Sequence, residues 1–134
     1  TKLRRRNFNY LRAFFKQYYL YARGDGKANL WFTRHVIRYA TYLIALPFTL
    51  TLFLLGFGIW AWGFLVLGFL GMFFTPYKRL LPLIASFSWI AKLRAIVWVP
   101  MIRITGDVAK MMGYPVGVVW RAQNRKVPKS RHLR

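Results

Sequence analysis

Residues 39–77 form a run of 39 without a single Lys, Arg, Asp, Glu or His. Basic residues close on it from both sides, Arg34, His35 and Arg38 before it and Lys78 and Arg79 after it. A helix needs about 20 apolar residues to cross the hydrocarbon core of a bilayer, so the run is long enough to cross twice. As one helix it would reach about 58 Å, nearly twice the core thickness. Gly56-Phe57-Gly58 stands near its midpoint and offers a reversal. The pattern therefore predicts a transmembrane helical hairpin of 39–55 and 59–74. Pro47 would be a tolerated kink in the first helix, and Gly63, Gly68 and Gly71 would let the two backbones approach closely.

The charge of the chain is arranged around this run. Lys and Arg number 22 against 2 acidic residues, a net +20. Ten of the basic residues fall in 1–38, none in 39–77, six in 78–110 and six in 121–134. Such a charge in a water-soluble domain would point to nucleic acid, but a Leu- and Phe-rich centre has no use there. Cationic flanks around a charge-free centre point instead to anionic lipid head groups, each juxtamembrane Lys or Arg contributing about 1 kcal/mol. Because a hairpin leaves both basic flanks on one side, the positive-inside rule makes that side cytoplasmic, with both termini there. The expected location is the cell (inner) membrane.

Outside the hairpin the chain reads as amphipathic helices lying at the interface, for an all-α membrane protein. Within 2–22, Phe8, Leu11, Phe15, Tyr18 and Ala22 recur at helical spacing, with Arg4, Arg5, Arg6, Arg12 and Lys16 on the basic side. Arg23-Gly24-Asp25-Gly26-Lys27 is expected to break this helix at a glycine turn. Trp31, Phe32, Tyr39 and Tyr42 stand where an aromatic belt would form. The segment 80–101 carries Lys92, Arg94, Pro82 and Pro100. Two cations at mid-membrane would cost about 2.5–3.5 kcal/mol each, so an interfacial helix that lets them snorkel is expected. Gly106, Gly113, Pro115 and Gly117 are expected to divide 104–120 into short pieces, and 121–134 reads as a basic solvated tail. The chain opens at Thr1 without a signal-peptide pattern, so its beginning is expected to be processed away, disordered or cut out of a longer product.

The residue types that carry chemistry are scarce. Asp25 and Asp107 are the only carboxylates, His35 and His132 the only imidazoles, and cysteine is absent. Paired-carboxylate acid/base work or an acid-built metal site would have to come from those two aspartates. Asp25 and Asp107 are expected to neutralise Arg23, Lys27 or Lys110, or to cap a turn, and His35 and His132 to be structural. No phosphate-cradling glycine loop or serine-nucleophile elbow is present. No catalytic, metal or cofactor-ligating residue is expected, and the chain alone is read as a non-enzyme.

Lys16-Gln17-Tyr18-Tyr19-Leu20-Tyr21-Ala22-Arg23-Gly24-Asp25-Gly26-Lys27, with Leu30-Trp31 and Arg34-His35 after it, resembles the segment that follows the catalytic domain in membrane-bound family 2 glycosyltransferases. Gly106-Asp107-Val108-Ala109-Lys110 and Gly113-Tyr114-Pro115-Val116-Gly117 look like the closing segment of that family. The resemblance covers residues 4–121. It implies a joining region between a nucleotide-sugar domain and C-terminal membrane helices, in which Gln17, Arg23 and Lys27 face an acceptor or a lipid phosphate. The family's Asp-x-Asp metal motif and catalytic base have no counterpart in this sequence.

Two functions follow. In the first, this is a non-catalytic anchoring fragment serving as an accessory subunit of a larger hetero-oligomeric membrane complex of photosynthetic or respiratory type, where other membrane helices cover its aromatics. The alternative is the membrane anchor and acceptor-side part of a family 2 glycosyltransferase. A third class, a lipid-binding or antimicrobial-type module, fits neither the length nor the hairpin. Expected contacts for lipid or acceptor phosphate are Gln17, Arg23, Lys27, Arg34, Arg38, Lys78 and Arg79. Lipid, quinone or pigment would meet the apolar faces, and nucleic acid is not an expected partner. The topology is testable with single cysteines, Thr1→Cys and Ser130→Cys. Both should be shielded from an impermeant thiol reagent in intact cells, and labelling of only one would require an odd number of crossings.

Overall fold

The computed structural model describes residues 2–125. They form helices joined by short turns, with no strand among them: α1 (Lys2–Ala28), α2 (Phe32–Leu54), α3 (Gly58–Leu83) and α4 (Trp89–Gln123). α2 and α3 are long and apolar enough to cross a membrane, at 23 and 26 residues. Core helices of a water-soluble protein can match that length, but they are buried. Here Leu54 is 80% exposed and Ile59 81%, and most large apolar side chains of the two helices are open to the surroundings. Exposed apolar surface on this scale marks a surface made for lipid or for protein. The hairpin is thus the centre of an all-α membrane protein.

The reversal falls at the expected glycines. Gly56 has φ +85°; its N–H donates to Phe53 O at 3.2 Å and Phe57 N–H to Leu52 O at 2.9 Å. This pair of bonds is the Schellman termination, in which a left-handed residue lets two further N–H groups reach the helix's last carbonyls. Pro47 acts one turn earlier than a simple kink would. Thr41–Ala45 is a π turn, Leu46 N–H donating to Thr41 O, so the helix shifts its hydrogen-bond register just before the proline that lacks an N–H. Thr49 Oγ1 donates to Ala45 O and Thr51 Oγ1 to Pro47 O, adding bonds along this stretch. The glycines expected to bring the backbones together do not do so: a Cβ at Gly63, Gly68 or Gly71 would meet nothing within 4 Å. Aromatic rings join the helices instead, Phe48 with Phe64 and Phe53 with Trp62, edge to face at 5.7 and 5.6 Å. Rings of that size hold the backbones apart.

Three other expectations are corrected. α1 does not stop at Ala22 but runs through both glycines to Ala28. Asn29 stops it, at φ +58°, with Leu30 N–H donating to Asp25 O at 2.9 Å; Asn tolerates the left-handed conformation that closes a helix. α3 continues past the charge-free run, through Lys78 and Arg79, to Leu83. Finally, the separate pieces expected in 80–101 and 104–120 form mostly one helix, the 35-residue α4. Ser88 starts it, taking Ala91 N–H on its hydroxyl and Lys92 N–H on its carbonyl, the N-cap arrangement. Pro100 leaves the carbonyl four residues back, Ile96 O, without its helical donor, and Tyr77 Oη donates to that oxygen at 2.9 Å. A bond from outside the helix thus offsets the proline. Most of the basic tail lies outside the described residues, His132 with it.

Two compact units result, Thr1–Ile37 with Gly106–Arg134, and Arg38–Thr105. In the first, the helix periodicity of 2–22 is used differently from the expectation. Leu11, Phe15, Tyr18 and Ala22 do lie on the more covered face of α1, whereas Phe8, expected with them, is exposed; the covered face packs on the second half of α4. Gly106 meets the Phe14 ring, Gly113 meets Tyr19 O, Gly117 meets Arg23 O and lies near Lys27 N, and Gly26 meets Tyr114 O and Val118 N. Ala22 and Ala109 are fully buried. Rising numbers meet rising numbers, so the two helices run parallel. Gly24, two residues from Gly26, has nothing near it. Gly26→Ala and Gly117→Ala should therefore destabilise the protein by about 1–3 kcal/mol through overpacking, whereas Gly24→Ala should stabilise it by about 0.5–1 kcal/mol. Thermal denaturation of the detergent-solubilised chain distinguishes the three.

Candidate functional site

The first unit collects the chemically capable side chains. α1, closed at Asn29, brings the Asp25 carboxylate towards the start of α2, where His35 is 3% exposed. His35 Nε2 lies 3.3 Å from Asp25 Oδ2. An ionised carboxylate only accepts, so the bond requires the proton on Nε2. The imidazole also stacks on Tyr114 of α4, ring centres 3.9 Å apart and 19° from parallel. Asp25, His35 and Tyr114 thus tie three helices at one point. Asp25 was expected to pair with Arg23, Lys27 or Lys110, or to cap a turn; its side chain instead meets His35, while its backbone carbonyl accepts the closing bond of α1. Asp107 is buried in α4.

The residues expected to contact phosphate divide between the units. Gln17, Arg23, Lys27 and Arg34 belong to the first and Arg38, Lys78 and Arg79 to the second. Gln17 donates to Tyr21 Oη at 2.8 Å. Lys27 Nζ sits 4.3 Å from the centre of the Trp120 ring, and Arg34 lies 4.1 Å over Trp31. Ring contacts of this kind hold a cation without consuming its hydrogen-bond donors, which stay able to bind an anionic oxygen. Lys110 lies similarly over Tyr18 at 4.7 Å. Trp31, which is exposed, holds φ +55°, a costly conformation for a bulky residue and one that accumulates where a chain is constrained for function. In the second unit, Lys78 lies 6.0 Å over Phe74 and Arg79 is exposed. Among the described residues no group of three His, Cys, Asp or Glu stands together.

The Asp25–His35–Tyr114 contact escaped sequence reasoning, although all three residues lie in or beside the segments quoted above. Spacing shows neighbours along one helix and carries no sign of a contact between α1 and α4. No family model matches the chain, and neither a curated protein nor a solved structure matches it.

His35→Phe should keep much of the stacking on Tyr114 and lose only the bond to Asp25, so it should cost less stability than His35→Ala. A double-mutant cycle of Asp25→Ala with His35→Phe should give a coupling of about 0.5–3 kcal/mol; additive effects would show that the pair contributes nothing.

Proposed function

We propose that this chain is the membrane anchor and acceptor-side module of a protein of the family 2 glycosyltransferase type. The observation that carries the reading is convergence. Both segments that resemble that family, far apart in sequence, meet in one unit through Gly26, Gly113 and Gly117 and through the Asp25–His35–Tyr114 contact. A joining region would need such a unit to hold Gln17, Arg23 and Lys27 in fixed positions relative to one another. In this reading the hairpin anchors the unit, and these side chains take the phosphate or polar end of an acceptor. The carboxylates that bind metal and activate the acceptor come from a separate catalytic domain, since the two aspartates of this sequence cannot do both. The membrane is the cell membrane, with the basic flanks on its cytoplasmic side.

A second reading is supported by the exposure of Trp60, Trp62, Phe64, Phe69 and Phe74 on α3. These rings point to more than one side of the helix, and α2 covers only part of it. Neighbouring membrane proteins would cover the remainder if the chain is an accessory subunit of a larger complex.

Purification from native membranes through an antibody to this segment separates the two. The first reading expects a polypeptide or tight partner that transfers sugar from a nucleotide-sugar donor, while the 134 residues alone transfer none. A stable hetero-oligomer without sugar transfer on native electrophoresis would establish the second reading, and transfer by the isolated chain would overturn both.

A further inference from the structure

The second unit contains a groove between α2 and α3 to which neither reading assigns a ligand. It has a volume of about 490 Å³ and is open along one side, with Ala45, Leu46 and Thr49 on α2 facing Leu65, Phe69 and Phe73 on α3. Thr41, Tyr42 and Met72 also line it, and as residues remote from the Gly56 turn they mark the end of the groove nearest the membrane surface. We infer that this groove holds one acyl chain of an anionic phospholipid, whose phosphate is bound at that end by Arg38 and Arg79.

Three observations select this occupant. The first is the lining, which is almost wholly apolar. Buried Thr49 has a hydroxyl on this face, and its proton is donated to Ala45 O at 2.8 Å. Thr49 therefore offers no donor in mid-groove, the other hydroxyl residues, Thr41 and Tyr42, lie at its surface end, and no histidine lines it to ligate a pigment metal; an alkyl chain needs neither donor nor ligand along its length. The second is size, since the volume lies within the range of about 300–1,000 Å³ typical of small-ligand sites. The third is charge. Arg38 stands one helical turn before Tyr42, and Arg79 two turns beyond Met72 on the same side of α3, about 6 and 10 Å along the axes. Both therefore flank the surface end of the groove and neither its deep end. Basic residues beside a cleft between membrane helices are the recognised setting for an anionic head group. A neutral phospholipid would fill the same groove without that contact, so preference for the anionic lipid is the signature.

The inference does not rest on the glycosyltransferase reading, because its measurement is lipid binding by the intact chain. The probe is phosphatidylglycerol with brominated chains, added to detergent-solubilised protein in which Trp62, a lining residue, is the only tryptophan left. Quenching of Trp62 should saturate at one lipid per chain, and brominated phosphatidylcholine should bind several-fold more weakly. Arg38→Gln and Arg79→Gln should each weaken the anionic lipid about fivefold, while Arg12→Gln on α1 should leave it unchanged. Gly68→Phe fills the groove from a position with open space around it and should abolish saturable quenching. Equal affinity for the two lipids, quenching that never saturates, or indifference to both the arginine and the Gly68→Phe substitutions would overturn the inference.

Discussion

The close approach of α1 and α4 is the contact on which the organisation of the first unit depends. At Gly26, Gly113 and Gly117 the backbones come so near that a Cβ would fall on a facing carbonyl or amide. Side-chain packing cannot substitute at that separation, because there is no volume for a side chain. The parallel alignment that results sets everything around it. Phe14 falls on Gly106, Lys110 over Tyr18, and Lys27 over Trp120. It also delivers Tyr114 to the face of His35.

The hairpin is built on the opposite principle. Its helices meet through large rings, its glycines stand in open space, and the backbone bonds around its turn and ahead of Pro47 are made locally. That last property is what hydrocarbon demands, since no water is present to satisfy a carbonyl that a proline has orphaned. The Schellman closure at Gly56 and the π turn ahead of Pro47 with its threonine bonds are local devices of this kind. The Tyr77 hydroxyl on Ile96 O serves the same need beside Pro100. Because rings hold the helices apart, an open groove remains between them, whereas glycine-mediated contact in the first unit leaves no such space.

A division of labour follows from these two modes of packing. The first unit holds cationic groups against aromatic rings, and the open hairpin presents apolar surface that other molecules can cover. Lys27 and Arg34 illustrate the first, resting on indole rings that restrict them while leaving their donors available. The α3 aromatics illustrate the second.

Much of this was legible in the amino-acid order. A charge-free run twice the length of one crossing, with glycines at its centre, determined the hairpin and its turn, because hydrocarbon excludes charge and only a reversal fits that length. Helix periodicity likewise marked the covered face of α1. The order did not determine where α1 ends, since glycine reads as a breaker unless a neighbouring helix requires its missing Cβ, and Asn29 rather than Gly24 or Gly26 carries the stop. Nor did it join 80–101 to 104–120, where prolines and glycines look like interruptions until packing and the Tyr77 bond offset them. The Asp25–His35–Tyr114 contact was decided by tertiary structure alone. Spacing along a chain records which residues share a helix face, and only the crossing of α1 with α4 and the start of α2 brings those three side chains together.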